Sequence, residues 1–238
     1  NYPTKSATEE FTSGASPFTA WSSGGNLNTA RGYITGCGTQ TAALAISGES
    51  PKTAVEEYNG TSWTAKTAKS NSNYLGAACG TTSAALFFGG ATTPPFTASV
   101  ATEEYGGSSW TNGGNLNTAR YNLAGAGTQT AGLAFGGRSP SDLTATEEYD
   151  GSSWTNGGNM GTARSMLAGA GTQTAGLAFG GQEAPPTSQT GATELYDGSS
   201  WTNTATASQA AAKLAAAGTT SAGLKFGGEN PPSTALSS

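Results

Sequence analysis

The chain has 238 residues, a formal net charge of −5 at pH 7 and no histidine. This acidic balance disfavours nucleic acid as a partner, because nucleic-acid binding needs a basic face. No apolar run approaches the roughly 20 residues that span a bilayer, so membrane insertion is not expected. Leu, Ile, Val and Phe make up roughly a tenth of the chain, a composition typical of disorder. These residues recur at fixed intervals, however, and that patterning predicts a fold.

A tryptophan returns five times, at intervals of 42, 47, 44 and 47 residues. Such a period indicates a repeat architecture, in which each unit buries its apolar face against its neighbours. The two clearest copies, 102–137 and 146–181, are identical at 31 of 36 positions. We predict one domain over 1–238, with tails at 1–6 and 229–238 and repeats at about 7–53, 54–100, 101–144, 145–191 and 192–228.

Each repeat is predicted to hold four short strands, and the fourth copy shows them in chain order. Residues 145–149 form a strand, and Asp150-Gly151 is a strong turn signal before Trp154 opens the next strand. Because the tryptophans keep one repeat position, we assign them to packing between units. The second carboxylate of each such strand, here Glu148, is expected on a solvated outer face.

The other two strands of the repeat follow. Residues 166–170 form a strand whose small residues, Ala168 to Ala170, suit an innermost position, where the strands of a ring converge and little room exists. A turn is predicted at 171–173, and the next strand alternates so that Leu177 and Phe179 share a face. The Ala-rich stretch 207–218 aligns with the innermost strand and is therefore predicted to be a strand, although its composition favours a helix.

The count of hairpins predicts the architecture. The chain begins with an outer pair, Ala7 to about Ser22, and ends with an inner pair, about Ala212 to Gly228. Pairing these two within one blade would remove the exposed sheet edges. The predicted fold is all-β: a closed five-bladed β-propeller with four-stranded antiparallel blades, in which the N-terminal outer hairpin pairs with the C-terminal inner hairpin. A fragment of a larger ring is the alternative.

The order of these signals resembles the kelch repeat. A Gly-Gly doublet follows an apolar strand, a variable loop leads to Glu-x-Tyr, and a tight turn ends in Trp; Thr162 to Ser165 matches the stretch that opens the inner strand. The chain departs from the pattern with Phe11 in place of Tyr, and with Asn73 and Ala211 where the other repeats carry Arg. The WD40 pattern is rejected because its Gly-His and Trp-Asp dipeptides are missing, and the sialidase Asp-box because its Asp-to-Trp spacing is one residue longer.

The Ala-, Gly- and Thr-rich composition of the repeats resembles that of kelch-like repeats in marine bacteriophage tail-fibre and other virion proteins, and in bacterial surface proteins. In peptide-binding kelch domains, residues that open the inner strand ring the channel mouth and contact the ligand. The resemblance therefore implies a ligand site built from Arg31, Asn73, Arg120 and Arg164, with Tyr33, Tyr74 and Tyr121 beside them.

Two roles remain open for the arginines. A ring of guanidinium groups suits a carboxylate or a sulfate, because Arg offers a planar fork of donors. Alternatively, each Arg pairs with the glutamate that recurs once in every repeat, as Glu9, Glu56, Glu103, Glu147 and Glu194. Further ligand candidates are the variable loops that contain Pro94-Pro95, Pro185-Pro186 and Pro231-Pro232.

No catalytic residue, cofactor or metal site is predicted. A Ser-His-Asp set needs histidine, and zinc and copper sites need His or clustered Cys. Cys37 and Cys79 are interpreted as small buried residues, too far apart for a disulfide. Adjacent carboxylates on one strand cannot face each other across a substrate.

We therefore predict a non-enzymatic structural or adhesion module of a virion or cell surface, which is extracellular or part of the virion. Its expected partners are other virion or surface proteins or a host-surface glycan, and a homo-oligomer is compatible with the sequence. The second hypothesis is a lectin-like domain that binds acidic or sulfated glycans at the channel mouth. The third is a hydrolase or lyase of propeller type.

Overall fold

The computed structural model describes residues 6–12, 20–93, 96–184 and 188–229, and the regular elements of this part of the chain are all β-strands. The first two strands pair only with each other, as an N-terminal hairpin of β1 (Glu9–Thr12) and β2 (Ala20–Ser23). No helix that could cross a membrane is found among the described residues.

Four antiparallel sheets of four strands follow one another along the chain. Sheet 1 consists of β3 (Thr35–Thr39), β4 (Ala42–Ile46), β5 (Val55–Tyr58) and β6 (Trp63–Lys66). Sheet 2 begins with β7 (Ala77–Gly80) and β8 (Ala85–Phe88). A small hairpin of β9 (Ala91–Thr92) and β10 (Thr97–Ala98) then intervenes, and β11 (Thr102–Tyr105) and β12 (Trp110–Asn112) complete the sheet.

The last two complete sheets repeat this plan. Sheet 3 consists of β13 (Ala124–Thr128), β14 (Ala131–Phe135), β15 (Thr146–Tyr149) and β16 (Trp154–Asn156). Sheet 4 has β17 (Ala168–Thr172), β18 (Ala175–Phe179), β21 (Thr193–Tyr196) and β22 (Trp201–Asn203), and between its halves lies a hairpin of β19 (Gln182–Glu183) and β20 (Ser188–Gln189). A C-terminal hairpin follows, formed by β23 (Ala212–Thr219) and β24 (Ala222–Glu229).

The first strand of each sheet lies innermost, and β3, β7, β13, β17 and β23 contact one another in that order. Small residues permit this approach. A Cβ added at Gly169 would lie 2.6 Å from the carbonyl oxygen of Gly125 on the neighbouring strand, which is closer than real Cβ atoms come. The Ala-rich stretch forms β23, the strand that its alignment with the other repeats predicts.

The turn of the inner hairpin lies later than the sequence indicates. In sheet 4 it comprises Gln173 and Thr174, whereas the pattern predicts 171–173. Gly171 still pairs with Gly176 although its φ is +96°. A Cβ there would lie 2.2 Å from the carbonyl oxygen of Ala175. The strand therefore continues through this glycine, because only a residue without a side chain fits.

The core fills the space between successive sheets. Leu133 and Phe135 of sheet 3 pack with Met160, Leu167 and Tyr196 on the side of sheet 4. The tryptophans take part in this packing. Trp154 is 4 % exposed, and its ring lies 4.9 Å from that of Phe88 in sheet 2. The repeated positions therefore join each sheet to the one before it.

The two terminal hairpins belong to separate two-stranded sheets among the described residues. The N-terminal hairpin nevertheless contacts sheet 1 as the sheets contact each other. Trp63 Nε1 donates to Thr8 Oγ1 at 2.9 Å, as Trp201 Nε1 donates to Thr146 Oγ1 at the same distance. Repeated four-stranded antiparallel sheets, packed through equivalent contacts, make an all-β, propeller-like architecture.

Candidate functional site

The three arginines at the start of the inner strands lie inside the protein. Arg31 is 3 % exposed, and Arg120 and Arg164 are fully buried. Arg164 Nη1 donates to the carbonyls of Gly180, at 2.7 Å, and Ala192, at 2.9 Å, while its Nη2 donates to Glu194 at 2.6 Å. The guanidinium heads are thus occupied by the protein itself.

The same arrangement recurs in the other sheets. Arg31 pairs with Glu56 at 2.9 Å, and Arg120 pairs with Glu147. Burial lowers the pKa of all three guanidinium groups, and the glutamate beside each one opposes that shift. Of the two roles left open by the sequence, the structure therefore places the arginines in the ion pair with the repeat glutamate.

Asn73 occupies the arginine position in sheet 2, and it too is buried. The cation there is Lys69, whose Nζ donates to the Asn73 side chain and lies 3.9 Å from Glu103. Burial lowers the pKa of Lys69 to about 8, and the attraction of Glu103 only partly offsets that effect. Lys69 is not among the residues predicted from the sequence, although Glu103, a repeat glutamate without an arginine, is a signal for it.

The second carboxylate of the repeat lies on a partly exposed face, which the next sheet also contacts. Glu104 accepts a hydrogen bond from the Tyr149 hydroxyl of the next sheet, and Glu148 accepts one from Tyr196. Burial and this hydrogen bond raise the pKa of Tyr149 to about 12. Alternation thus places the carboxylate on the outer side of its own strand, as the sequence predicts, and the neighbouring sheet covers that side in part.

A row of strained residues lies at one end of the cavity between the innermost strands, an end that we call the channel mouth. The residue two positions after the Arg/Asn/Ala site has a φ between 54° and 60° in every repeat, and these residues are Tyr33, Leu75, Asn122, Met166 and Lys213. Side chains other than Asn rarely adopt this left-handed conformation. The sequence contains no turn glycine at these positions and gives no sign of the strain.

Backbone hydrogen bonds link four of these residues from one repeat to the next. The amide of Asn122 donates to the Leu75 carbonyl, that of Met166 to Asn122, and that of Lys213 to Met166, at 2.8 to 2.9 Å. The left-handed turn aims each amide at its neighbour. The strain is therefore coupled to the contact between repeats and places five different side chains around the channel mouth.

Aromatic side chains surround this mouth. The ring centroids of Tyr33 and Tyr74 are 6.2 Å apart, those of Tyr74 and Phe96 are 6.1 Å apart, and those of Phe96 and Tyr121 are 4.9 Å apart. Tyr33 is 42 % exposed and Phe96 is 51 % exposed. The predicted tyrosines are thus brought together, and Phe96, which the sequence analysis did not single out, joins them. We call these four side chains the aromatic rim.

The aromatic rim borders a cavity of about 470 Å³, which Leu75, Asn122 and Met166 also line. Charged side chains at its edge are Glu49, Arg138 and Lys213. Arg138 Nε lies 3.3 Å from Asp142, and Lys213 Nζ lies 2.9 Å from Glu229. A second cavity of about 320 Å³ continues inward along the small residues of the five innermost strands. The mouth therefore offers apolar faces and hydroxyl groups more than charge.

Metal and thiol chemistry find little support in this part of the chain. The described residues contain no group of three His, Cys, Asp or Glu side chains that could hold a metal ion. Cys37 and Cys79 are both free thiols. Burial raises the pKa of Cys37 to about 12 and that of Cys79 further, which makes both thiols unreactive. The proline pairs 94–95, 185–186 and 231–232 lie outside the described residues.

Comparison with known proteins identifies a similar fold, but it does not assign the chain to a family. No family model matches the sequence, and no curated protein matches it. Among solved structures, one described as the structure of YjhT superposes with a TM-score of 0.77 and 12 % sequence identity, over 97 % of this chain and 92 % of that one. At this identity the likeness shows the fold alone, and it supports the β-propeller.

Proposed function

We propose that this protein is a non-enzymatic adhesion module of kelch-like type, with five blades in a closed ring, carried on a virion or a cell surface. The observation that carries the proposal is the aromatic rim at the channel mouth. Tyrosine supplies a large, rigid and amphipathic contact area at low entropic cost, and it is enriched where proteins bind other molecules. Loops on a rigid scaffold are the usual place for such a site.

The ligand that best suits this mouth is a surface glycan or a loop of another surface protein. The rim presents ring edges and faces next to hydroxyl groups, and ligand sites combine apolar walls with a few polar groups. The Ala-, Gly- and Thr-rich composition of the repeats is similar to that of bacteriophage and bacterial surface proteins. This similarity supports a location on a virion or a cell surface. Other virion or surface proteins are the partners that this location implies.

A glycan panel with rim variants tests the proposal. Tyr33 and Phe96 are more than a third exposed, so Tyr33→Ala and Phe96→Ala should leave folding intact. Each should weaken binding by about tenfold or more, because aromatic anchors dominate binding energy. Thr155→Ala, on an exposed outer strand, is the matched control and should bind normally. Binding that survives the double variant would place the ligand elsewhere and contradict the proposal.

A lectin-like preference for acidic or sulfated glycans is the second candidate, and it now depends on different residues. The arginines that suggested it are enclosed with glutamates, so Arg138 and Lys213 at the cavity edge would have to supply the charge. Both already face an acid. Comparison of sulfated and desulfated forms of one glycan separates the candidates. A strong preference for the sulfated form that salt removes would favour the acidic ligand.

A further inference from the structure

Each described glutamate of the repeat that is buried has a cation beside it, even where the arginine is absent. Glu56, Glu147 and Glu194 are paired with arginines, and Glu103 is paired with Lys69. A buried carboxylate without a partner is strongly destabilising. The substitution of Asn73 for Arg in sheet 2 is therefore matched by a lysine from another position.

A backbone amide from the turn before the inner strand also binds each of these glutamate carboxylates. The amide lies three residues before the Arg/Asn position, and it donates to the carboxylate at 2.6 to 2.7 Å. The four pairs are Asn28 with Glu56, Ser70 with Glu103, Asn117 with Glu147, and Gly161 with Glu194. One turn and one cation together form a carboxylate site in each four-stranded sheet.

The C-terminal hairpin has the elements of an equivalent site. Ala211 takes the arginine position there, so Ser208 is the residue equivalent to the amide donors. Lys225 on β24 extends to this turn, where its Nζ donates to the Gln209 carbonyl at 3.1 Å. In sheets 3 and 4 the residue at this position is Ala134 or Ala178, which pairs directly with Glu147 or Glu194. A lysine thus replaces an alanine in the last repeat, where Ala211 takes the place of the arginine.

The occupant that fits is the N-terminal strand of the same chain. Residues 8–11 read Thr-Glu-Glu-Phe and match the Thr-Glu-Glu-Tyr of β15. Transfer of the register of sheet 3 places Thr8 opposite Phe226, Glu9 opposite Lys225, and Glu10 opposite Leu224. Leu224 is 51 % exposed and Phe226 is 39 % exposed, whereas their equivalents Leu133 and Phe135 are fully buried.

The N-terminal hairpin already makes the contacts expected of an outer half-blade. Tyr58 donates to Glu10 as Tyr149 donates to Glu104, and Trp63 donates to Thr8 as Trp154 donates to Thr102. We propose that β1 adds to the edge of β24 in this register and that Lys225 replaces the missing arginine as the partner of Glu9. The inference rests on the closed ring proposed above and adds the register, the ion pair and the rule that each lost arginine is matched by a lysine.

A disulfide trap tests the register in the full chain. Glu10→Cys with Leu224→Cys places the two thiols on directly opposed residues of an antiparallel pair, whose Cα atoms lie about 4.5 to 5.5 Å apart, within disulfide reach. Thr8→Cys with Leu224→Cys is two residues out of register and is the control. Of the native thiols, Cys79 is buried and Cys37 is partly buried, and burial raises the pKa of both, so neither should compete.

We expect a disulfide within one chain for the first pair and none for the control. A disulfide that joins two chains would show that a second copy supplies the strand, and this would overturn the proposal. Reaction of both pairs alike, or of neither, would overturn it as well. The trap does not depend on any ligand, so it can succeed when glycan binding fails.

A double-mutant cycle tests the ion pair. Glu9→Gln and Lys225→Met should each lower Tm by about 5–10 °C, because each leaves without its partner a charged group that the addition of β1 to β24 would enclose. The double variant should lose less than the sum of the two. Lys66→Met, which breaks the half-exposed pair with Glu57 at 2.9 Å, is the matched control and should lower Tm by only ~1–2 °C. Single variants that behave like this control would overturn the pairing.

Discussion

Lys69 lies 3.9 Å from Glu103 inside sheet 2. In sheets 1, 3 and 4 an arginine occupies this place and pairs with the equivalent glutamate of its own sheet. The side chains of Lys69 and Glu103 are almost fully enclosed. Lys69 lies four residues before Asn73 in the sequence. A cation therefore occupies the same place in all four sheets, although in sheet 2 it comes from a different repeat position. The role of these cations is thus to neutralise a buried carboxylate.

Lys69 should make stability rise with pH between about 8 and 10.5. Its pKa is about 8 in the folded chain and 10.5 ordinarily, so the unfolded chain binds more protons in this window. Below pH 8 the cost of burying the charge is present in full, and it disappears as the folded lysine loses its proton. Urea unfolding near pH 7 and near pH 10 should show a gain of up to ~3 kcal/mol that Lys69→Met lacks. Equal pH dependence in both proteins would contradict the assignment.

Removal of one member of the Arg164–Glu194 pair should lower the free energy of unfolding far more than removal of both. Arg164→Ala leaves a buried carboxylate unpaired and should cost about 3–5 kcal/mol of unfolding free energy. Arg164→Met combined with Glu194→Leu replaces the pair with apolar groups and should cost much less. Chemical denaturation measures both. Similar losses for the single and double variants would mean that the carbonyl contacts of Arg164, not its charge, dominate.

The hydrogen bond between sheets 2 and 3 can be removed with little change of shape. Trp154 Nε1 donates to Thr102 Oγ1 at 3.0 Å, and both side chains are buried. Thr102→Val leaves the indole donor without a partner and should cost about 1–3 kcal/mol. Thr111→Val, on an exposed stretch of β12, is the control and should stay within about 0.5 kcal/mol. Thermal unfolding followed by tryptophan fluorescence reports the difference.

Tyr33→Asn should stabilise the protein and weaken ligand binding together. Tyr33 has a φ of +56° and is largely exposed, and Asn tolerates this backbone conformation better than Tyr. Asn122 already occupies the equivalent position. The expected gain is up to ~1 kcal/mol in unfolding free energy, with a loss of glycan binding on the panel. A variant that is stabilised and still binds normally would exclude Tyr33 from the site.

Several features of the fold and the site can be predicted from the sequence, because they depend on its periodicity. The period of the tryptophans, the two-residue alternation of Leu177 and Phe179 and the small residues of β17 predict repeated four-stranded sheets, and these are present. Tyr74 and Tyr121 hold equivalent positions in adjacent repeats and Tyr33 lies one position further along its own repeat, so their proximity follows from the repeat. Phe96 does not follow, because it lies in the loop between β9 and β10, where the sequences of the repeats differ.

The sequence by itself determined the repeat, the strand pattern and the small residues of the inner strands, because these depend on local periodicity and side-chain volume. Only the tertiary structure decided what the charged residues do. It enclosed the arginines with the repeat glutamates, brought Lys69 to Glu103, and covered Glu104 and Glu148 with tyrosines of the next sheet. These pairings join residues about 25 to 50 positions apart, and burial, which a linear pattern does not record, sets their charge and their role.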